Sequence, residues 1–464
     1  MTRQPSSGNQ TSDLQRPIEL HRSGRLADAA AAYQELLPRF PRDPQLLLGF
    51  GTLLLQTGSL EKGLELIDRL LGVVPQHPVA WSNRGNALRA LNRTAEALAS
   101  YDRAIAARPD YAGAYYNRGA LLHELRRFDE ALRDYDRAIA LSPDFADAHW
   151  NKSLLKLITG DYEEGWRLYE WRWKGQLKGE VRPFARPLWL GQGAVRGKRL
   201  LLHAEAGLGD TIQFCRYAPR VAALGAEVLL ELPAPLLPLL STLPGKFTLF
   251  RRGDPLPPFD MHCPMMSLPL ALKTTVASIP ASVPYLFADP EKVSRWQGQL
   301  GAATSPRIGL VWSGSSIYKN DRERSVPLGL LQDLLALPLE LHVLQKEIRA
   351  EDLATLQRQP QVRVHGDRLG DFSDTAALLQ LMDLVVSVDT SVAHLAGAMA
   401  KEVWILLPYA PDHRWFLDRS DSPWYPTATL LRQQKAGDWT GVVDELLRRL
   451  ASFAQGVPRR APAC

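Results

Sequence analysis

Cysteine is scarce in this chain. Cys215, Cys263 and Cys464 are the three among 464 residues, and they lie far apart. Neither a disulfide framework nor a paired-thiol zinc site is expected. Long apolar runs are also lacking, none approaching the roughly 20 residues that span a bilayer. The first fifteen residues are polar, without the basic start and apolar core of a signal peptide. No transmembrane segment is expected, and a cytoplasmic location is the default. Nor is there a strong excess of one charge: the net +5 is spread over 55 basic and 50 acidic residues. Most arginines alternate with acids, as on solvated helix faces. No basic stripe accompanies a recognisable module, so nucleic acid is not an expected partner. With 45% hydrophobic residues, this length predicts two or three globular domains.

What is present first is a repeat. Pro41, Pro75, Pro109 and Pro143 recur every 34 residues, and Gly51, Gly85 and Gly119 keep the same step. Another register holds Gly24, Gly58 and Gly160, with Asn92 and Arg126 in the two places between. Tyr33, Ile67, Tyr101, Tyr135 and Tyr169 share a third, and Leu47, Trp81, Tyr115 and His149 a bulky fourth. The pattern, clearest in "AWSNRGNALRALNRTAEALASYDRAIAARP", resembles the tetratricopeptide repeat. Small residues (Gly85, Ala97) let two antiparallel helices approach, Trp81 and Tyr101 are expected to fill the space between neighbouring pairs, and proline ends each second helix.

An α-solenoid over residues 13–175 follows. Its groove suits a protein or peptide partner, and pure packing or homo-oligomer assembly is the alternative use. Asn83, Asn117 and Asn151 recur on the first helices, where such amides can bond an extended peptide; a solvated polar position is the competing reading. Trp166, Trp171 and Trp173, with Trp189 beyond, are expected to form a hydrophobic joint. Residues 176–197 read as linker.

From Lys198 the texture changes to short β-branched runs alternating with helical patterns, which predicts parallel βαβ sheets. "KRLLLHAE", "AEVLLEL", "FTLFRR" and "FDMHCP" form one group; "RIGLVWSG", "LELHVLQ", "LVVSVDT" and "EVWILLP" form another. Two Rossmann-like halves, 198–300 and 301–455, are expected to face each other across a cleft. In such sheets ligands sit at the carboxyl ends of the strands. The last helix, "GVVDELLRRLASF", is expected to cross back to the first half.

Several loops could carry chemistry. "GLGDTI" is not a dinucleotide fingerprint, because Ile212 replaces the third glycine, and "GQGAVRGKR" has the wrong spacing for a phosphate loop. The first stretch still holds Gly207 and Gly209 for close backbone approach, and Asp210 at a helix start. Asp210 is either a reactive carboxylate or a helix cap. His203 and Glu205 add ionisable groups at the same strand end. In "SVDTSVAHLAGA", Asp389 ends a strand, and Thr390, Ser391 and His394 open a helix that could receive a diphosphate. In "WSGSSIYKNDRERS", Gly314 precedes Lys319, Arg322 and Arg324, which suit phosphates; a solvated charged loop is the competing reading. Gln345 and Lys346 end the next strand. Trp424 and Tyr425 either wall a ligand or plug the domain.

"GLGDTI" after a first strand and "VDTSVAHLAGA" late in the chain resemble the heptosyltransferases, metal-independent GT-B enzymes with two Rossmann-like domains. The resemblance implies that Asp210 is the general base and that Asp389, Thr390, Ser391 and His394 bind the donor diphosphate. The order of solenoid and core is similar to that of O-linked N-acetylglucosamine transferases. The implied protein is an inverting glycosyltransferase that moves sugar from a nucleotide-sugar donor to a protein or glycan acceptor, with no metal or other cofactor. The alternative is a non-catalytic scaffold with a vestigial or nucleotide-sensing core.

Overall fold

The computed structural model describes residues 7–315 and 321–456. The chain divides into two compact units: Met1–Leu155 with Lys174–Gln176, and Lys156–Trp173 with Leu177–Cys464.

The first unit is a run of antiparallel helix pairs. Its helices are α1 (Ser7–Arg22), α2 (Leu26–Leu36), α3 (Pro44–Gln56), α4 (Leu60–Val73), α5 (Pro78–Ala90), α6 (Thr94–Ala107), α7 (Ala112–Glu124), α8 (Phe128–Leu141) and most of α9 (Ala146–Ile158). Gly24, Gly58, Asn92, Arg126 and Gly160 all adopt positive φ, between 58° and 91°. At each, the next residue's N–H reaches back five residues, as from Ser59 to the Leu54 carbonyl (2.8 Å) and from Arg127 to that of Leu122 (2.8 Å). This bond ties off helix-end carbonyls and turns the chain, and it requires the left-handed residue between. Asn92 and Arg126 accept that conformation despite their Cβ atoms.

The glycines at Gly51, Gly85 and Gly119 lie against Ile67, Tyr101 and Tyr135 of the second helix in the same pair. Tyr101 therefore packs inside its own pair, not between pairs as expected. Trp81 differs too: half-buried, it donates from Nε1 to the Pro75 carbonyl at 2.8 Å. His149 does the same to Pro143 (2.9 Å). The bulky register thus closes the loop six residues upstream. Asn83, Asn117 and Asn151 form a ladder along the array. Their amide nitrogens donate to Thr52 Oγ1 (2.9 Å), Ser82 Oγ (3.0 Å) and the Tyr116 hydroxyl (3.3 Å), each on the preceding repeat's first helix.

The second unit begins with the end of α9 and α10 (Tyr162–Tyr169), which had been expected to close the solenoid. Aromatic packing explains the difference: Trp166 meets Phe214 and His413 edge-on, and Tyr162 stacks on Phe416. Trp173 lies against the Arg172 guanidinium, whereas Trp189 is buried in the expected linker and donates its backbone N–H to the His262 carbonyl.

Two parallel sheets follow. The first has the order β3-β2-β1-β4, from β1 (Arg199–His203), β2 (Glu227–Leu232), β3 (Thr248–Arg251) and β4 (Met261–Pro264). The second runs β10-β9-β8-β5-β6-β7, with β5 (Arg307–Val311), β6 (Glu340–Val343), β7 (Arg363–Val364), β8 (Leu384–Val388), β9 (Val403–Leu407) and β10 (Ala428–Arg432). Every residue of β5, β8 and β9 is buried, as parallel strands covered on both faces require. The eight expected strands are present; β7 and β10 are additional. The final helix, Thr440–Gly456, does not cross to the first half. Its Val442, Val443, Leu446 and Leu450 pack into the core of the second sheet with Leu341 and Trp404. Among the described residues, no helix is long and apolar enough to cross a membrane.

Candidate active site

β1 ends at His203, and the chain turns through Ala206, whose φ is +56°, into the helix Leu208–Phe214. Asp210 is the third residue of that helix, not its cap. Its Oδ2 accepts from the Gly207 N–H at 2.9 Å, satisfying one of the free donors of the first turn. Gly209 faces the second half: a Cβ there would stand 2.8 Å from His394 Cδ2. The glycine loop is therefore where the helix Leu208–Phe214 approaches the helix Ser391–Ala398, which follows β8. The two sequence motifs meet.

Between them lies Arg414, which the sequence did not single out. Its Nη2 donates to Asp210 Oδ1 at 2.8 Å, and its Nη1 to His394 Nε2 at 3.2 Å. Its Nε is 2.9 Å from Asp412 Oδ1. Since arginine can only donate, His394 Nε2 must carry a lone pair, so Nδ1 bears the proton and donates to the Tyr425 hydroxyl at 2.9 Å. Burial, reinforced by Arg414, holds His394 well below the usual imidazole range, in agreement with this neutral tautomer. The Trp415 ring stacks on His394 at 5.3 Å and Tyr425 packs against Gly397, fixing the imidazole from two sides.

His394 is 2% exposed and both its ring nitrogens are engaged. It is thus arranged to orient Arg414, not to donate directly to a diphosphate as the sequence suggested. Asp389 lies 3.6 Å from His394 Nε2, and burial raises its pKa above the usual carboxylate range. Burial would also raise Asp412, but Arg414 and His413 outweigh it and hold that carboxyl low. Thr390 is the N-cap position of the Ser391 helix, and its Oγ1 lies 3.0 Å from Ser387 Oγ.

The loop after β5 joins this centre through Arg324, whose Nη1 donates to the Asp389 carbonyl at 2.9 Å. Gly314 lies directly against Arg324 and Asp321, where a side chain would collide with both. Arg322, expected to hold phosphate, is exposed, and Lys319 lies outside the described residues. Gln345 is buried and bonds the Trp312 N–H and Ser313 Oγ, so it pins the end of β5. Lys346 is exposed.

On the first half, Glu205 is not free for an acceptor. Both its oxygens accept from the buried Arg172, at 2.9 and 2.8 Å, and Arg172 also reaches Glu170 and Ser267. His203 is buried against His262, Nε2 to Nδ1 at 3.3 Å, with Phe184 packed on both rings. Burial, with help from His262, takes its pKa down to about 3. These two residues build the wall behind the glycine loop. Trp424 and Tyr425 are wholly buried: a plug, with Tyr425 also holding His394.

Arg414 sits in "PYAPDHRW", just past the carboxyl end of β9. That position was the available signal, because a cation at a strand end of such a sheet faces the ligand side. Its partner Asp210 is 204 residues away, a pairing no local pattern reveals.

Residues 339–435 match glycosyltransferase family 9 (heptosyltransferase). Residues 20–85, 85–125 and 112–145 match tetratricopeptide repeats. Protein FlbA of Caulobacter vibrioides is 27% identical over 325 residues, which cover 64% of this chain and 54% of FlbA. The chain thus spans about half the length of this curated relative. Among solved structures, a crystal structure of MamA is 22% identical with a TM-score of 0.31, covering 35% of this chain and 96% of MamA. A thermophilic tetratricopeptide protein of Thermus thermophilus is 23% identical with a TM-score of 0.33, covering 35% and 90%. The chain therefore joins a stretch that matches tetratricopeptide repeats to one that matches glycosyltransferase family 9. The family match includes Asp389, His394 and Arg414 but not Asp210.

Proposed function

We propose that the second unit transfers a sugar from a nucleotide-sugar donor to a hydroxyl of a protein or glycan acceptor, with the repeats recruiting the acceptor. One observation carries this reading. Asp210 from the first half and His394 of the Asp389–His394 motif from the second converge on one guanidinium, which brings a candidate base and a candidate leaving-group cation together. In the transfer, the acceptor oxygen bonds to the anomeric carbon and its proton passes to Asp210. The bond from that carbon to the diphosphate breaks, and its electron pair stays on the diphosphate. Attack opposite the leaving group inverts the anomeric centre. Arginine and the first N–H groups of the Ser391 helix would meet the diphosphate charge, so the mechanism assigns no step to a metal.

A second reading, a non-catalytic nucleotide-sensing core, draws on one feature: both Asp210 oxygens already accept hydrogen bonds. The test is turnover of a panel of nucleotide sugars, with and without peptide acceptors, by wild type and Asp210→Asn. The enzyme reading expects turnover that falls about 100-fold or more in the variant, as loss of a general base does. No turnover with any donor would leave the sensing reading in place, and equal turnover by both proteins would remove Asp210 as the base.

A further inference from the structure

Arg414 has three partners, and only one of them comes from the first half. Asp412 and His394 belong to the same half as Arg414, close in sequence or on the adjoining helix; Asp210 does not. The pair is largely shielded from solvent, with side-chain exposures of 9% for Arg414 and 16% for Asp210. Asp412 stays beside Nε as a counter-charge, so parting from Asp210 leaves only Nη2 short of an anionic partner, a place another anion can take. A carboxylate whose two oxygens both accept hydrogen bonds is in turn poorly placed to take a proton from an acceptor hydroxyl.

We infer that the donor's diphosphate displaces Asp210 from Arg414, so that donor binding both positions the leaving-group cation and releases the base. This rests on the glycosyltransferase reading and adds an order of events to it. His394 holds Nη1 through a hydrogen bond and Asp412 lies as a charge partner 2.9 Å from Nε, so Nη2 can swap one oxygen for another while the guanidinium stays in place. The backbone supports a fixed geometry. Phe416, two residues after Arg414, has a φ of +56° and stacks on Tyr162, and Ala206 on the other side has the same φ. Such unfavourable conformations persist where surrounding packing imposes them.

The test is a double-mutant cycle on the binding of inorganic diphosphate in metal-free buffer, measured by calorimetry on the full chain. Asp210→Asn removes the competitor and should tighten binding about tenfold, equivalent to about 1.4 kcal/mol. In an Arg414→Gln background the same change should have less than about a twofold effect, since the interaction it releases is gone. Equal tightening in both backgrounds would mean simple charge repulsion and would overturn the exchange. So would absence of tightening in the wild-type background, or absence of diphosphate binding. Melting curves of the four proteins confirm folding, and Arg414→Lys, which retains the charge, should bind between wild type and Arg414→Gln. The outcome is separable from that of the parent reading. Failure of the cycle in a protein that turns over nucleotide sugars rejects only the exchange, and absence of turnover rejects the enzyme whatever the cycle shows.

Discussion

Gly209 and His394 stand so close that no side chain can be added between them: a Cβ on Gly209 would lie 2.8 Å from the imidazole Cδ2. The glycine of the first motif is there to let a helix of one half approach a helix of the other. Gly209→Ala must therefore push the two helices apart or tilt His394, and with it Arg414. We expect a loss of about 1–3 kcal/mol, the usual cost of overpacking, together with loss of turnover. Gly207→Ala is the control, because its Cβ would meet only the Asp210 carboxylate, at 3.0 Å. A smaller loss is expected there. Urea unfolding of both variants checks the difference, and equal costs would show that the helix approach is not what Gly209 serves.

The repeat glycines separate two physical roles that look alike in sequence. Gly58 has a φ of +82° and open space where a Cβ would go; Gly85 is helical and lies against the Tyr101 ring. Gly58→Ala should cost about 1 kcal/mol from the left-handed backbone alone. Gly85→Ala gains helix propensity yet should cost about 1–3 kcal/mol, because the fully buried Tyr101 ring has to move. Combining Gly85→Ala with Tyr101→Leu should recover part of that cost, whereas no partner substitution should rescue Gly58→Ala.

The registers that carried these glycines were legible because a 34-residue period repeats the same local requirement several times. Asn92 and Arg126 fell into the register of Gly24, Gly58 and Gly160, and the structure gives all five a left-handed backbone. Most strands were legible as short apolar runs, although the largely buried β10 was missed. The two-residue β7 is exposed and too short to leave a pattern. Asp210 and His394 were legible as motif members, but their roles were not, since these depend on Arg414. The assignment of Glu205 to an acceptor loop failed for a related reason. Its partner Arg172 lies 33 residues upstream, in a segment read only for its tryptophans.

Acid should destabilise the second unit through its histidines. His342 Nδ1 lies 3.0 Å from His365 Nε2 in a buried stack. Burial, then the neighbouring ring and nearby arginines, lowers His342 to about 3; burial and the arginines Arg368 and Arg363 lower His365 to about 4. Unfolded imidazoles titrate near 6.5, so below that pH the unfolded chain binds protons that the folded one refuses. Stability therefore falls as pH drops from about 6.5 toward the folded values, by up to about 1.4 kcal/mol per ring per pH unit. Urea midpoints at pH 7, 6 and 5 should decline. The double variant His342→Leu/His365→Leu should decline less steeply, and an unchanged slope would assign the effect elsewhere.

The Arg172–Glu205 pair should behave as a buried ion pair whose halves cannot be removed singly. Arg172 is fully buried and donates twice to Glu205, once to Glu170 and once to Ser267, while Glu205 also accepts from the Met266 N–H at 3.1 Å. Arg172→Met leaves Glu205 as an uncompensated carboxylate in the wall behind the glycine loop, and should cost about 3–5 kcal/mol. Glu205→Gln keeps the shape and one acceptor, and Glu170 still faces the guanidinium, so its cost should be smaller. The double variant Arg172→Met/Glu205→Leu removes both charges and should recover much of the loss, although the Met266 N–H then loses its acceptor. If the wall also fixes the turn that presents Asp210, the double variant should regain stability before it regains turnover. Measuring unfolding and nucleotide-sugar turnover on the same three proteins separates the two effects. Recovery of both together would show that the pair contributes folding energy and does not aim the glycine loop.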